Sequence, residues 1–151
     1  HPVCRDSYDG RCWCRDGSGK TAASCLDKLR WVTIGPQYDW TQRVYDSEGP
    51  YQPVPELLAQ LSRKASAIAL EAERGRGLPG WQRAFSPDAA LVNYYGEGDT
   101  LNGHVDDVEP DQSMPIVSIS LGCPAILLMG RETLDAPPAA ILVRGGDVVV
   151  L

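Results

Sequence analysis

Hydrophobic and polar positions change their rhythm once along this chain, near residue 89. Ahead of that point one segment carries a helical period. In ELLAQLSRKASAIALEAERGRG, residues 56–77, the apolar residues Leu57, Leu58, Leu61, Ala65, Ile68 and Ala69 recur at three- and four-residue spacings. Pro53 and Pro55 precede the segment, and Gly75 and Gly77 close it, the order in which these residues punctuate a helix. The pattern predicts a helix over this segment. From residue 89 onward the apolar residues come in short runs: ALVNYY, PIVSISLG, AILLMG, AAILVR and DVVVL, separated by Gly, Pro and Asp clusters. Such runs predict an all-β sandwich or barrel. LRWVTIG, residues 29–35, adds a short strand closed by Gly35-Pro36, and the polar segment QYDWTQRVYDSEG that follows shows no element. Residues 1–27 have no period and form an irregular, Cys-rich arm. The expected fold class is α+β, a helical N-terminal part followed by a β-sandwich.

A length of 151 residues suits one domain with a real core. With 43% hydrophobic and 23% charged residues, the composition is that of an ordinary globular protein. No apolar stretch approaches the roughly 20 residues of a membrane-spanning helix, so no membrane is expected as a partner. The chain begins at His1 and stops at GGDVVVL, inside a β-branched run. We therefore expect it to be truncated at both ends, which leaves a targeting peptide open. Val148–Leu151 are expected to present an unpaired apolar edge.

The net charge of −6 argues weakly against nucleic acid as a partner, but its distribution matters more. Residues 1–85 carry 12 Lys/Arg against 10 Asp/Glu, and residues 86–151 carry 2 against 10. The second part suits a cation, and a polyanion would be met by the first. Cys4, Cys12, Cys14 and Cys25 crowd the arm, while Cys123 stands alone in an apolar stretch. RCWCR supplies only a CxC, not the paired CxxC spacing of a zinc site. Free thiols in a reducing, intracellular compartment are the expectation.

The candidate chemistry lies in LNGHVDDVEPD, residues 101–111, which holds one of only two histidines. In an extended His-x-Asp the alternate side chains point to one side, so a single ion can touch both His104 and Asp106. Imidazole and carboxylate with open positions beside them form the facial ligand set of non-haem Fe(II) oxygenases, which takes one further histidine. A chance His-x-Asp occurs in about one of three chains this long, so on the triplet alone a solvated turn is the favoured reading.

Its context is more specific. LVNYYGEGDTLNGHVDDVEPDQSMPIVSISLGCPAILLMG resembles the AlkB family of Fe(II)/2-oxoglutarate-dependent dioxygenases, whose pattern runs Asn-x-Tyr, Gly, a spacer, His-x-Asp, and a Pro-(Ile/Leu)-(Val/Leu)-Ser-x-Ser-(Leu/Phe)-Gly strand. Here these are Asn93-Tyr94-Tyr95, Gly98, His104-Val105-Asp106, and Pro115 to Gly122. GGDVVVL is similar to the family's strand ahead of the distal ligand, and LRWVTIGPQYDWTQRVY looks like the branch called AlkB homologue one. The resemblance covers residues 29–151. It implies a double-stranded β-helix (jelly roll), here incomplete at the C-terminus, as a partial dioxygenase domain over residues 28–151. It implies Fe(II) and 2-oxoglutarate as cofactors and molecular oxygen as co-substrate. His104 and Asp106 would bind iron, and Asn93 and Tyr95 would donate hydrogen bonds to the 2-oxoglutarate carboxylates. The family's distal histidine and its arginine pair are expected beyond Leu151, so this piece alone is expected to be inactive. Ser118 and Ser120 receive no catalytic role, and Asp107, Glu109 and Asp111 are expected to be solvated turn residues.

The family oxidises alkyl groups, most often N-methyl groups on nucleobases, and a base has to leave its stack or arrive single-stranded to react. In GRGLPGWQRAF, Arg76, Trp81 and Arg83 are the candidate contacts to a nucleic acid: arginines for phosphate, the indole for stacking. The plainer reading is a loop whose Trp81 and Phe85 cover the core. Lys28, Arg30 and Arg43 are open in the same way. DNA, transfer RNA and other RNA are not separated by these residues. Two functions are thus in view: an AlkB-type nucleic acid demethylase, and a non-catalytic β-sandwich binding module that keeps the scaffold without turnover.

Overall fold

In the computed structural model, residues 30–39, 42, 44–46, 48–77, 80–81, 84–130 and 135–151 are described. The N-terminal arm with its four cysteines lies outside the described residues, as do Lys28, Arg43 and Arg83. The elements run β1 (Trp31–Ile34), β2 (Gln37–Asp39), β3 (Val44–Asp46), α1 (Glu56–Gly75), β4 (Ala90–Asn93), β5 (Val117–Ile119), β6 (Ala125–Met129), β7 (Ala139–Val143) and β8 (Val148–Val150). The strands form four antiparallel pairs, β1-β4, β2-β3, β5-β8 and β6-β7, and no closed barrel forms among the described residues. The chain divides into two units, His1–Pro55 with Asp88–Thr100, and Glu56–Pro87 with Leu101–Leu151.

The expected order of helix first and strands second is corrected in the first unit, which holds β1 to β4. β1 takes its partner from beyond the helix, with Trp31 opposite Asn93 and Ile34 opposite Ala90. The polar segment after Gly35-Pro36, to which the sequence assigned no element, forms the β2-β3 hairpin. Its central pair, Tyr38 opposite Tyr45, packs edge to face with ring centroids 5.0 Å apart. Gly35 adopts φ +92°, and a Cβ there would stand 2.9 Å from Ala89 Cα and against the Asp88 carbonyl oxygen. Only glycine lets the end of β1 pass this close to the backbone leading into β4.

The second unit contains α1 and β5 to β8. The helix forms where the period placed it, and Leu58, Ala65 and Ala69 of the apolar stripe are half-buried. Ala59, Ser62 and Ser66 are buried, whereas Leu57 is 81% exposed and Leu61 and Ile68 are also exposed. α1 contacts β5 and β8, and its small residues form the buried line. At the exposed N-terminus Glu56 accepts from Gln60 (2.9 Å) and Arg63 (2.7 Å), and these two partners hold its carboxyl below the ordinary glutamate value.

β5 pairs with β8, Val117 opposite Val150 and Ile119 opposite Val148. Reciprocal bonds of 3.0 Å between Ile116 and Leu151 lengthen the ladder. The expected unpaired edge at DVVVL is therefore paired on its β5 side, and Val149 and Val150 are half-buried. In β5, Val117 and Ile119 turn inward and Ser118 outward. β6 and β7 form a hairpin whose inward-facing end is Val143, 8% exposed.

Candidate metal centre and its surroundings

His104 and Asp106 lie on a stretch without regular secondary structure, residues 100–109. The pair meets there: His104 Nε2 is 3.4 Å from Asp106 Oδ1. The other ring nitrogen is engaged locally, with Nδ1 2.8 Å from the Asn102 carbonyl oxygen. A carbonyl oxygen only accepts, so Nδ1 carries the proton, and in the neutral imidazole the lone pair is on Nε2, toward Asp106. This arrangement of a backbone carbonyl behind a histidine orients metal-ligating imidazoles.

The spacing suits a divalent ion. Two donors each about 2.1 Å from one ion are about 3.0 Å apart at a right angle and about 3.4 Å apart near the tetrahedral angle. Both side chains are about half exposed, so an ion held here would keep coordination positions open to small molecules. Among the described residues there is no group of three or more His, Cys, Asp or Glu placed to hold a metal. The neighbouring acids divide. Asp107 is exposed, as expected. Glu109 and Asp111 are half-buried rather than solvated. Asp111 accepts from the Ser113 amide (3.1 Å) and hydroxyl (2.5 Å), and its carbonyl accepts from the Met114 amide at 3.3 Å. That is an aspartate-initiated turn leading into Pro115 and β5, a structural role.

Asn93 and Tyr95 belong to the first unit. Asn93 ends β4, and the ladder runs one rung further because the Tyr94 amide donates to the Arg30 carbonyl at 2.8 Å. Leu91, Asn93 and Tyr95 thereby take alternate positions along extended backbone, and all three are exposed. Beyond Tyr95 the chain turns: Asp99 N donates to Gly96 O (3.1 Å), and Gly96 N donates to Asp99 Oδ2 (2.7 Å). Gly98 sits third in this turn with φ +80°, a conformation that the type II turn reserves for glycine.

The nucleic-acid candidates separate. Trp81 is half-buried and lines a groove of about 470 Å³ in the second unit, together with Ala69, Glu73, Met114 and Val150. Arg76 is exposed and pairs with Glu73 at 3.5 Å, so its charge is partly engaged. Arg83 falls outside the described residues. Arg30, open as a phosphate contact, is instead bonded to Asp99. The sequence reading missed three features here: the Asn102 carbonyl behind His104, the Arg30–Asp99 link, and Glu73 in the groove. Of these only Glu73, three residues before Arg76 at the end of α1, had a visible signal.

The family model described as the 2OG-Fe(II) oxygenase superfamily matches residues 14–151. The DNA N(6)-methyladenine demethylase ALKBH1A of Arabidopsis thaliana is 47% identical over 131 residues, 87% of this chain and 35% of the relative. The tRNA demethylase abh1 of Schizosaccharomyces pombe is 35% identical over 141 residues, 90% of this chain and 43% of the relative. The alpha-ketoglutarate-dependent dioxygenase AlkB of Escherichia coli is 35% identical over 122 residues, covering 81% of this chain and 51% of its own. Among solved structures, OsALKBH1 superposes with a TM-score of 0.64 at 27% identity, covering 80% of this chain and 59% of that one. The chain thus spans about a third to a half of the length of these curated relatives.

Proposed function

The chain belongs to the 2OG-Fe(II) oxygenase superfamily, as an AlkB-type member, and on that premise we propose that its protein oxidatively demethylates alkylated nucleobases in DNA or RNA. The products are formaldehyde, succinate and carbon dioxide. The observation that carries the proposal is the meeting of His104 Nε2 and Asp106 Oδ1 at 3.4 Å, with the imidazole already turned by the Asn102 carbonyl. In this reading His104 and Asp106 are two protein ligands of Fe(II), and 2-oxoglutarate is the second cofactor. The bound iron and keto acid together supply the activation of molecular oxygen.

The chain's own residues do the holding. Asp106 brings a negative charge to the cation, and His104 presents a lone pair whose direction is set before any ion arrives, which lowers the cost of binding. Asn93 and Tyr95 offer an amide and a phenol, neutral donors suited to carboxylate oxygens. Arg76 is free to trade its exposed pair with Glu73 for a phosphate at little cost, because such pairs contribute little. Trp81 offers an aromatic face at the groove for a base. The fold that accompanies this reading is the double-stranded β-helix, supported by the likeness to OsALKBH1. Relatives named for DNA and for tRNA leave both nucleic acids as substrate classes.

The test is formaldehyde release from N-methylated oligonucleotides by the full protein with Fe(II), 2-oxoglutarate and oxygen. Release that disappears in both His104→Ala and Asp106→Ala supports the proposal. Release that survives both substitutions contradicts the metal assignment. Tight oligonucleotide binding without any release, under conditions where the metal is bound, establishes the non-catalytic binding module instead.

A further inference from the structure

Tyr95 is held between two pinned backbone positions, and one residue reaches both pins. On the upstream side the Tyr94 amide donates to the Arg30 carbonyl at 2.8 Å. On the downstream side the Gly96 amide donates to Asp99 Oδ2 at 2.7 Å, and the same oxygen accepts from Arg30 Nη1 at 2.5 Å. Arg30 therefore holds the residue before Tyr95 with its backbone, and holds the carboxylate that fixes the residue after it with its guanidinium.

The turn itself does not require the arginine. The second unit builds the same turn at Arg144–Asp147, where the Arg144 amide donates to Asp147 Oδ2 at 2.8 Å and the Asp147 amide to the Arg144 carbonyl at 3.0 Å. An aspartate at the fourth position closes such a turn by its own backbone and carboxylate. What the Arg30 guanidinium adds is a tie between the turn and the entrance to β1. Its side chain is 59% exposed and that of Asp99 32%, so the tie contributes little to overall stability. A charged, geometrically fixed donor at such a place serves position rather than stability.

We propose that Arg30 and Asp99 are a positioning pair that sets the orientation of Tyr95, and with it the affinity of the protein for 2-oxoglutarate. The inference rests on the reading of Asn93 and Tyr95 as keto-acid contacts. Loss of one tie, with the Tyr94 rung kept, is expected to weaken 2-oxoglutarate binding about three- to tenfold, the effect of impairing one hydrogen bond.

The experiment measures 2-oxoglutarate binding by calorimetry on the full, Mn(II)-loaded protein, together with the melting temperature, and steady-state kcat and KM on the iron form. Arg30→Ala and Asp99→Ala are expected to weaken binding to the same extent, and the double variant no further than either single one. Arg30→Lys is expected to recover most of the affinity by restoring a cation near the Asp99 carboxylate. The KM for 2-oxoglutarate is expected to rise while kcat at saturation and the melting temperature hold. Unchanged affinity in Arg30→Ala, with Tyr95→Phe or Asn93→Ala clearly weakened, overturns the positioning pair and leaves the keto-acid contacts standing. Affinity that falls only in step with the melting temperature also overturns it, by showing a purely structural role. If Tyr95→Phe and Asn93→Ala both bind normally, the underlying reading fails and the proposal fails with it.

Discussion

Replacing Gly35 by alanine tests how tightly the two backbone segments behind the candidate keto-acid contacts are fitted. Gly35 ends β1 at φ +92°, a conformation that costs an L-residue about 1–2 kcal/mol. The new Cβ would also press on backbone, with Ala89 Cα at 2.9 Å and the Asp88 carbonyl oxygen closer still. Backbone cannot swing aside as a side-chain tip can, and forced overpacking of this kind costs about 1–3 kcal/mol. Against these stands the gain from a stiffer unfolded chain, about 0.4–1 kcal/mol. The net expectation is a destabilisation of roughly 1–5 kcal/mol, a large share of the 5–15 kcal/mol that holds a typical domain together. Gly98→Ala is the internal control. It has the same kind of dihedral, φ +80°, but none of the described residues lies within 4 Å of its added Cβ, so strain and unfolded-state gain leave only about 0–1.6 kcal/mol. Urea denaturation of the two variants and the parent protein reads the difference. The Asp88-Ala89 segment leads directly into β4 and Asn93, so Gly35→Ala should also weaken 2-oxoglutarate binding. A Gly35→Ala protein no less stable than Gly98→Ala would refute the argument from backbone contact.

Two further outcomes follow from burial. Ser66 is 1% exposed and its hydroxyl has no hydrogen-bond partner among the described residues, so Ser66→Ala should raise stability by about 1 kcal/mol, read as a higher melting temperature; a lower one would mean that the hydroxyl is satisfied. On the β6-β7 hairpin, Ile126, Leu128 and Leu142 share one face and are 59%, 60% and 47% exposed. The 151-residue polypeptide is therefore expected to self-associate in sedimentation, with Leu128→Thr/Leu142→Thr reducing the effect, since each such side chain contributes roughly 1.5–3 kcal/mol when buried. A monomer at all concentrations would show that this face does not drive association.

How far the sequence carried the structure depends on what kind of information each element uses. His104 and Asp106 were legible because a two-residue spacing needs only local geometry, and the pair meets as expected. The existence of α1 was legible from its period and its flanking Pro and Gly. Its buried face was not, because hydropathy weights large apolar side chains, whereas the line that packs is Ala59, Ser62 and Ser66. Size, not hydropathy, decides that face. The β2-β3 hairpin escaped notice because its three-residue strands are polar, with Tyr38 and Tyr45 paired across them. The pairing of β1 with β4 across an intervening helix is non-local, and no short window of sequence reports it. The same holds for the Arg30–Asp99 link, 69 residues apart. The Asn102 carbonyl behind His104 is a backbone contact, which residue types do not encode.

The central claim is that His104 and Asp106 hold one divalent metal ion. Mn(II) titration of the metal-free full protein, followed by electron paramagnetic resonance, tests it most directly. Removing a ligand should cost at least the roughly tenfold that follows loss of an outer-shell partner. His104→Ala and Asp106→Ala are each predicted to weaken Mn(II) binding by about that factor or more. In pulsed spectra, a hyperfine coupling to an imidazole nitrogen should be reduced by His104→Ala and kept in Asp106→Ala at saturating metal. Mn(II) affinity and nitrogen coupling unchanged in both variants would contradict the account.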